Sequence, residues 1–357
     1  MSTPETPALD TTELERVLGQ LVTDMGAAVN GALVLTGMDL GLWRALDGAG
    51  PLTVHALADR TGIRERYLRE WCSAQAASGY LRYDADTDTF TLSPEQAMAF
   101  ARADSPVYLA GGYHLISSVF KDRERVTERI RAGEGFGWHE HDPELFTGTE
   151  QFFRPGYRAN LVDAWLPTLD GVVDRLTRGG QVADVGCGHG VSSTLIAQAF
   201  PHSTVHGFDY HDASIARARE LAAEQHVGNT EFTVASATDY PGHGYDLICF
   251  FDALHDMGDP VGALRHARAA LSDGGTVMLV EPNAHDTLTD NLNPVSRMYY
   301  AASTMLCTPS SLSQPVALGL GAQAGEHRLA QVAAEAGLGT FRRAAETPFN
   351  LVLEARR

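Results

Sequence analysis

The sequence predicts an α/β chain: a mostly parallel sheet wrapped in helices, preceded by a smaller helical domain. Three observations carry that expectation. From Gln181 onward, apolar runs of strand length alternate with helical stretches, the pattern of a parallel sheet covered on both faces. Within that region Val182-Ala183-Asp184-Val185 leads into Gly186-Cys187-Gly188-His189-Gly190, a buried strand ending in three glycines at alternate positions, with a helix from Val191. Ahead of it, Leu14, Leu18, Leu21, Met25, Ala28, Ala32 and Leu35 recur in steps of four and three, the stripe of a helix that packs against another.

Composition sets the outer limits. A chain of 357 residues fits two domains, or one with a substantial extension, and 44% hydrophobic content is ordinary for a globular protein. A net charge of -18 repels phosphate backbones and anionic lipid, so neither nucleic acid nor membrane is expected as a partner. Cys72, Cys187, Cys249 and Cys307 are far apart, and read as reduced thiols of a cytoplasmic protein rather than as disulfides or a zinc site. Residues 1 to about 10 are polar, contain proline and are expected to lack structure; they show no signal-peptide pattern. No apolar run is expected to span a membrane.

The helix from Thr11 carries Gly19, Gly26 and Gly31, which argue against a free-standing coiled coil, so its stripe serves either an internal core or a subunit interface. Residues 41–93 then follow a regular pattern. Gly41-Leu42-Trp43-Arg44-Ala45-Leu46 closes a helix, Thr53 caps the next, and Thr61-Gly62 turns. A third helix from about Arg64 to Ser78 buries Tyr67, Leu68, Trp71 and Cys72. Tyr80 to Tyr83 and Thr89 to Leu92 are two strands joined by Asp84-Ala85-Asp86-Thr87-Asp88. Three helices and a hairpin make a winged helix. Three aspartates in the wing would be repelled by phosphate, which disfavours DNA binding.

Residues 94 to about 176 read as connecting helices. Tyr108 to Arg131 is one, broken by Gly133 to Gly137. Trp138-His139-Glu140-His141-Asp142-Pro143 reads as a solvated loop or pocket cap rather than a metal site. A further helix runs through Tyr157, Leu161, Trp165 and Leu169 with a kink at Pro167.

In the sheet region, strand Thr204 to Phe208 ends at Asp209, where a carboxylate can hold both hydroxyls of a ribose; the bland reading is a cap for the next helix. Tyr210 would lie against a base. Strand Glu231 to Val234 leads to Ala235-Ser236-Ala237-Thr238-Asp239, and strand Asp246 to Phe251 leads to Asp252-Ala253-Leu254-His255-Asp256. The strand Thr276 to Val280, after a stop at Ser272 to Gly275, ends at Glu281. His255 and Glu281 thus fall on neighbouring positions of the sheet's carboxyl edge, where ligands bind. There Glu281 can fix the tautomer of His255 and leave the other ring nitrogen toward a substrate. The last segment adds a helix Asn293 to Met305, another from Gly325 to Ala336, and two closing strands.

The Gly-x-Gly-x-Gly turn with Asp184 two residues ahead, together with Asp209, resembles motif I of class I S-adenosylmethionine-dependent methyltransferases. The dinucleotide fingerprint has one residue more between its last glycines, which disfavours an NAD-dependent dehydrogenase. Leu254-His255-Asp256 with Glu281 resembles the general-base segment of plant-type O-methyltransferases. The winged helix resembles the N-terminal dimerisation domain of small-molecule O-methyltransferases, actinobacterial type, which moves the Leu14–Leu35 stripe toward an interface.

The resemblance covers residues 15 to 357. It implies a Rossmann-like class I sheet with an N-terminal all-α/winged-helix domain, divided as 11–100 for dimerisation, 101–176 for a helical linker and pocket cap, and 177–357 for the cofactor-binding domain. It implies S-adenosyl-L-methionine as cofactor, with S-adenosyl-L-homocysteine as product, held by Asp184, Gly186, Cys187, Gly188, Gly190, Asp209, Tyr210, Ser236, Ala237, Thr238, Phe250, Phe251 and Tyr157. The family's loop aspartate for the adenine amino group is replaced by Ser236, so that contact stays open among Ser236, the Ala237 backbone and Asp239. It implies O- or N-methylation of a small molecule in secondary metabolism, with His255 as base and Glu281 in support, in a cytoplasmic homodimer without a metal. Two alternatives are kept. One is a metal-assisted C-methyltransferase of a 2-oxo acid on His255-Asp256, weakened because no histidine follows between His285 and His327; the other is a winged-helix transcriptional regulator.

Overall fold

The computed structural model describes residues 9–357, and most of the stretch expected to lack structure lies outside them. The described residues form two compact units that divide between Tyr113 and His114.

The first unit opens on α1 (Thr11–Asp39), whose N-cap Asp10 accepts hydrogen bonds from Thr12 N and Glu13 N. Only Asn30, Gly31, Val34 and Gly37 of α1 are buried, while Leu18, Leu21, Val22, Met25 and Val29 are more than half exposed. An internal core therefore does not account for the stripe. By length and apolarity α1 is also long enough to cross a membrane, contrary to expectation; its C-terminal end is instead built into a protein core. There the indoles of Trp43 and Trp71 donate to the Val34 and Leu33 carbonyls, and the Asn30 and Gln75 amides pair reciprocally. A Cβ on Gly37 would come within 2.7 Å of both indoles, so α1 passes them only as glycine.

Residues 42–46 form their own helix α2 (Leu42–Leu46), because Gly41 takes φ +67° and breaks the chain direction. α3 (Val54–Thr61) is capped by the Thr53 hydroxyl and ends on left-handed Gly62. α4 (Glu65–Ala77) buries Leu68, Trp71, Cys72 and Gln75, spaced three and four apart. Tyr67 sits one position off that stripe and is exposed rather than buried. The wing is β1 (Arg82–Asp84) and β2 (Thr89–Thr91), followed by α5 (Pro94–Phe100) with a Ser93/Gln96 capping box.

The next helix, α6 (Tyr113–Ala132), begins five residues later than expected, since Gly111 and Gly112 leave a 3-10 turn before it. In the second unit α7 (Glu144–Asn160) accommodates Pro155 and unwinds into a π turn at 161–165 and a 3-10 turn at 166–168. Pro167 lies in that last turn, so the bend expected at this proline is spread over two irregular turns. α8 (Val172–Arg178) then leads into the sheet.

The sheet elements follow in order: β3 (Gln181–Val185), α9 (Val191–Ala199), β4 (Thr204–Asp209), α10 (Asp212–Glu224), β5 (Thr230–Val234), β6 (Tyr245–Phe251), α11 (Pro260–Ala270) and β7 (Leu271–Pro282). After them come α12 (Pro294–Ala302), α13 (Thr308–Leu312), α14 (Gly325–Glu335), β8 (Thr340–Glu346) and β9 (Asn350–Arg356). The seven strands lie in the order β5-β4-β3-β6-β7-β9-β8, parallel except where β9 pairs antiparallel with β7 and β8. β7 is longer than expected, because pairing of Tyr245 with Leu271 carries strand geometry through Ser272 to Gly275. Side chains alternate between two cores. Ala183, Ile248, Phe250 and Leu279 pack on one face of the sheet, and Val182, Leu247, Cys249 and Val280 on the other. Buried on both faces, these strands carry the near-continuous apolar runs seen in the sequence.

Candidate active site

The glycine turn closes β3 by hydrogen-bonding Gly186 N and Cys187 N to the Phe208 carbonyl of β4. All three glycines take positive φ, and each meets different surroundings. A Cβ at Gly186 would strike Ala253, and one at Gly190 would strike Ala218 and Phe232, whereas one at Gly188 would meet nothing within 4 Å. The outer glycines are therefore packing positions, and Gly188 leaves backbone open to a ligand. Asp184 is fully buried and turns to α9, where its Oδ2 accepts the hydroxyls of Ser192 and Ser193, each at 2.6 Å. Burial raises its pKa to about 6 against those two bonds. It braces the turn from behind rather than lining it.

Asp209 Oδ2 accepts from Gly188 N at 3.0 Å, and its Oδ1 from His211 N at 2.9 Å. Burial pushes its pKa up, against these two backbone donors. A carboxylate offers about four acceptor positions, so both oxygens keep capacity for a diol. Asp209 does not cap α10, whose N-cap is His211 without a side-chain bond; its Oδ1 only steadies the turn into that helix. Tyr210, beside it, is half exposed with its ring edge-on to His139. Phe146 stacks on His211 at 4.6 Å, and His189 of the glycine turn pairs with Glu150 of α7 at 2.8 Å. The 138–146 segment and α7 thus roof this rim. The rest of that segment is not a solvated loop, since His141 is buried against Asp122. Ser236 and Thr238 face each other through their hydroxyls at 3.0 Å in an exposed loop, where Ala237 packs against the core. Cys187 is buried, Phe250 lies wholly in the core, and Phe251 packs on Tyr157 at the inner side of the rim.

In the sequence Asp252 is read only as part of the segment before His255, with no role assigned to it. It ends β6 at φ +48°, a strained setting for a non-glycine residue, with its N–H on the Val280 carbonyl. Its carboxylate accepts from Tyr157 OH at 2.7 Å and Asn350 Nδ2 at 2.9 Å. Burial and the nearby charge of Glu281 still raise its pKa to about 8. Such a group is suited to a cationic ligand. Its partners come from α7 and β9, so no local pattern could have pointed to it.

His255 and Glu281 meet as the strand order requires. Nδ1 of His255 lies 2.5 Å from Glu281 Oε2, and Glu281 Oε1 accepts from Leu254 N. Nε2 lies 3.2 Å from Asp256 Oδ1, with Cys307 of the π turn Ser303–Cys307 close by. Burial opposes the imidazolium, but the charges of Asp256 and Glu281 outweigh it and hold the His255 pKa well above its ordinary value.

Comparisons agree with this geometry. Residues 176–337 match the family described as a methyltransferase domain, and residues 28–102 match the Rv2258c-like winged HTH domain. The matches give a methyltransferase domain that follows a winged-helix domain in the sequence, on the sheet and glycine turn described above. The chain is similar to acetylserotonin O-methyltransferase of Mus musculus, 30% identical over 264 residues, which cover 67% of this chain and 66% of that protein. It is 32% identical to trans-aconitate 2-methyltransferase of Delftia acidovorans over 118 residues, 32% of this chain and 42% of that one. These curated relatives are thus matched over four-tenths to two-thirds of their length. Among solved structures, the mitomycin 7-O-methyltransferase MmcR aligns with a TM-score of 0.67 at 20% identity, covering 98% of this chain and 100% of that one. Human N-acetylserotonin methyltransferase in complex with SAM aligns at 0.68 and 16%, covering 99% of each. At such identities these two support the fold.

Proposed function

We propose that this chain methylates a hydroxyl of a small-molecule acceptor, with His255 as general base. The 2.5 Å contact between His255 Nδ1 and Glu281, at the sheet edge beside the glycine turn, is the observation that carries the reading. It sets the tautomer with Nε2 as the proton acceptor. The resemblance to acetylserotonin O-methyltransferase across two-thirds of the chain supports oxygen as the methylated atom.

S-adenosylmethionine supplies, when bound, a methyl group already activated on a sulfonium. The residues present fit it: Gly188 opens the turn to a backbone contact, Asp209 keeps lone pairs for a ribose, and Asp252 is a buried acid held by the neutral donors of Tyr157 and Asn350. We assign the ribose to Asp209, the adenine to Tyr210 and the Ser236–Thr238 loop, and the cationic amino-acid end to Asp252 with Tyr157. A positive charge in this cradle draws His255 back toward neutral imidazole, ready to take the acceptor's proton at Nε2. Glu281 orients the ring and is a positioning residue. The helices before residue 177 that belong to the second unit act as the cap, roofing the rim with His139, Phe146 and Glu150.

Cytoplasmic residence is supported by four unpaired, buried cysteines. A homodimer through the N-terminal helices is supported by the exposed stripe on α1. DNA binding is disfavoured further because Arg69 is taken up by Asp88 through two bonds, while Asp84 and Asp86 of the wing stay exposed. The deciding experiment measures S-adenosylhomocysteine affinity and methyl transfer to a panel of phenolic and enolic acceptors. Absence of cofactor affinity would end the proposal. An amine or carbon product would correct the acceptor class.

A further inference from the structure

We propose that His255, Asp256 and Cys307 form a binding site for a thiophilic divalent ion of the zinc type, and that its occupation silences the base. The second half rests on the function proposed above. The imidazole nitrogen, a carboxylate oxygen and the thiol sulfur lie within 4.8 Å of one another. Metal–ligand bonds of about 2.0–2.3 Å place tetrahedral ligands roughly 3.3–3.8 Å apart, so the three groups need to close by about 1 Å. One thiolate and one carboxylate balance a dication, and the thiol proton leaves to solvent on binding. The mixed S, N, O set favours zinc over magnesium or calcium, which take oxygen ligands.

Four further features look like a metal site. Glu281 already holds His255 Nδ1, the carboxylate–histidine arrangement that aims Nε2 at a metal. Asp256 Oδ1 is buried without a hydrogen-bond partner and faces that same Nε2. The ligand-bearing segments are also fastened together. Gln314 Nε2 donates to the Asp256 carbonyl, Gln314 Oε1 accepts from Gly258 N, and Ser311 Oγ donates to the Met257 carbonyl. Cys307 itself closes a π turn, an irregularity common at functional positions. Three protein ligands leave a fourth position for water or an acceptor oxygen. The Nε2 lone pair that accepts a proton is the one that would hold the ion, so the two uses exclude each other.

The test uses the full chain stripped with a chelator. Zn2+ is titrated in competition with a chromophoric chelator, and Co2+ reports thiolate ligation through its sulfur-to-metal absorption. One equivalent is expected in the wild type. C307A and H255A should each weaken it by more than about tenfold, and E281Q by about 10–100-fold. The cobalt–sulfur absorption should vanish in C307A, and Zn2+ should suppress methyl transfer reversibly with chelator. Unchanged affinity in C307A, or activation of transfer by the ion, overturns the proposal. S-adenosylhomocysteine binding is measured alongside on every variant. Its absence in the wild type would defeat the proposed function and leave the metal titration readable.

Discussion

Two buried histidines in this molecule each hold a carboxylate, and they differ in what faces the second ring nitrogen. His141 Nδ1 lies 2.9 Å from Asp122 Oδ2, and its Nε2 is buried without a partner, with Phe136 packed edge-on to the ring. His255 Nδ1 lies 2.5 Å from Glu281, and its Nε2 faces Asp256 and Cys307. Burial lowers the pKa of His141 despite Asp122, whereas the two carboxylates around His255 raise its pKa against the same burial. One carboxylate leaves an imidazole as a structural link, and a second polar surface on the far side makes it a chemical group. Counting neighbours of one nitrogen would not separate the two cases.

The contrast breaks most visibly on truncation. H255A should lower turnover by about 10²–10⁴-fold while S-adenosylhomocysteine still binds; equal turnover in calorimetrically matched samples would remove the base. The corresponding loss at the other pair falls on stability. D122A leaves the neutral His141 ring and the Asp142 N–H without their acceptor, and should destabilise the fold by about 1–3 kcal/mol in denaturant titration. A cost under 1 kcal/mol would show that the pair is not a structural link.

Acidity sharpens the comparison further. Because the folded-state pKa of His141 lies below its unfolded value, the unfolded chain binds the extra proton, and stability is lost as pH falls from about 6.5 downward. H141N keeps a donor toward Asp122 and should flatten that loss in thermal melts at pH 7, 6 and 5. Asp252 responds in the opposite sense. Its folded pKa of about 8 lies above the unfolded value, so stability falls as pH rises from about 4 to 8. D252N should be the more stable protein near pH 8 and yet bind S-adenosylhomocysteine more weakly. Binding of 5′-methylthioadenosine, which lacks the amino-acid end, should be unaffected.

Much of the sheet was legible because strands buried on both faces are continuous apolar runs, and because glycines at 186, 188 and 190 mark a turn of positive φ. The meeting of His255 and Glu281 followed from strand order alone. What escaped depends on packing across the fold. Asp252 acquires its character from Tyr157 and Asn350, 95 and 98 residues away. Cys307 nears His255 from the end of a π turn some fifty residues on, which no local pattern marks. Phe250 and Asp184 look like lining residues on a strand that reaches the site, but alternation turns Phe250 into the core and two serine hydroxyls draw Asp184 behind the turn. The burial of His141 was hidden in a segment whose composition reads as solvent-exposed.

Helix α1 carries its own lesson. Its inner end is nailed down by two indoles and an amide pair, while the outer turns hold their leucines and valines in water. Most helical stability in proteins comes from packing of an apolar face, so the outer turns depend on whatever covers theirs. Where the proposed homodimer covers them, protein concentration becomes a structural variable, and dilution should cost helical signal before any other part of the fold responds.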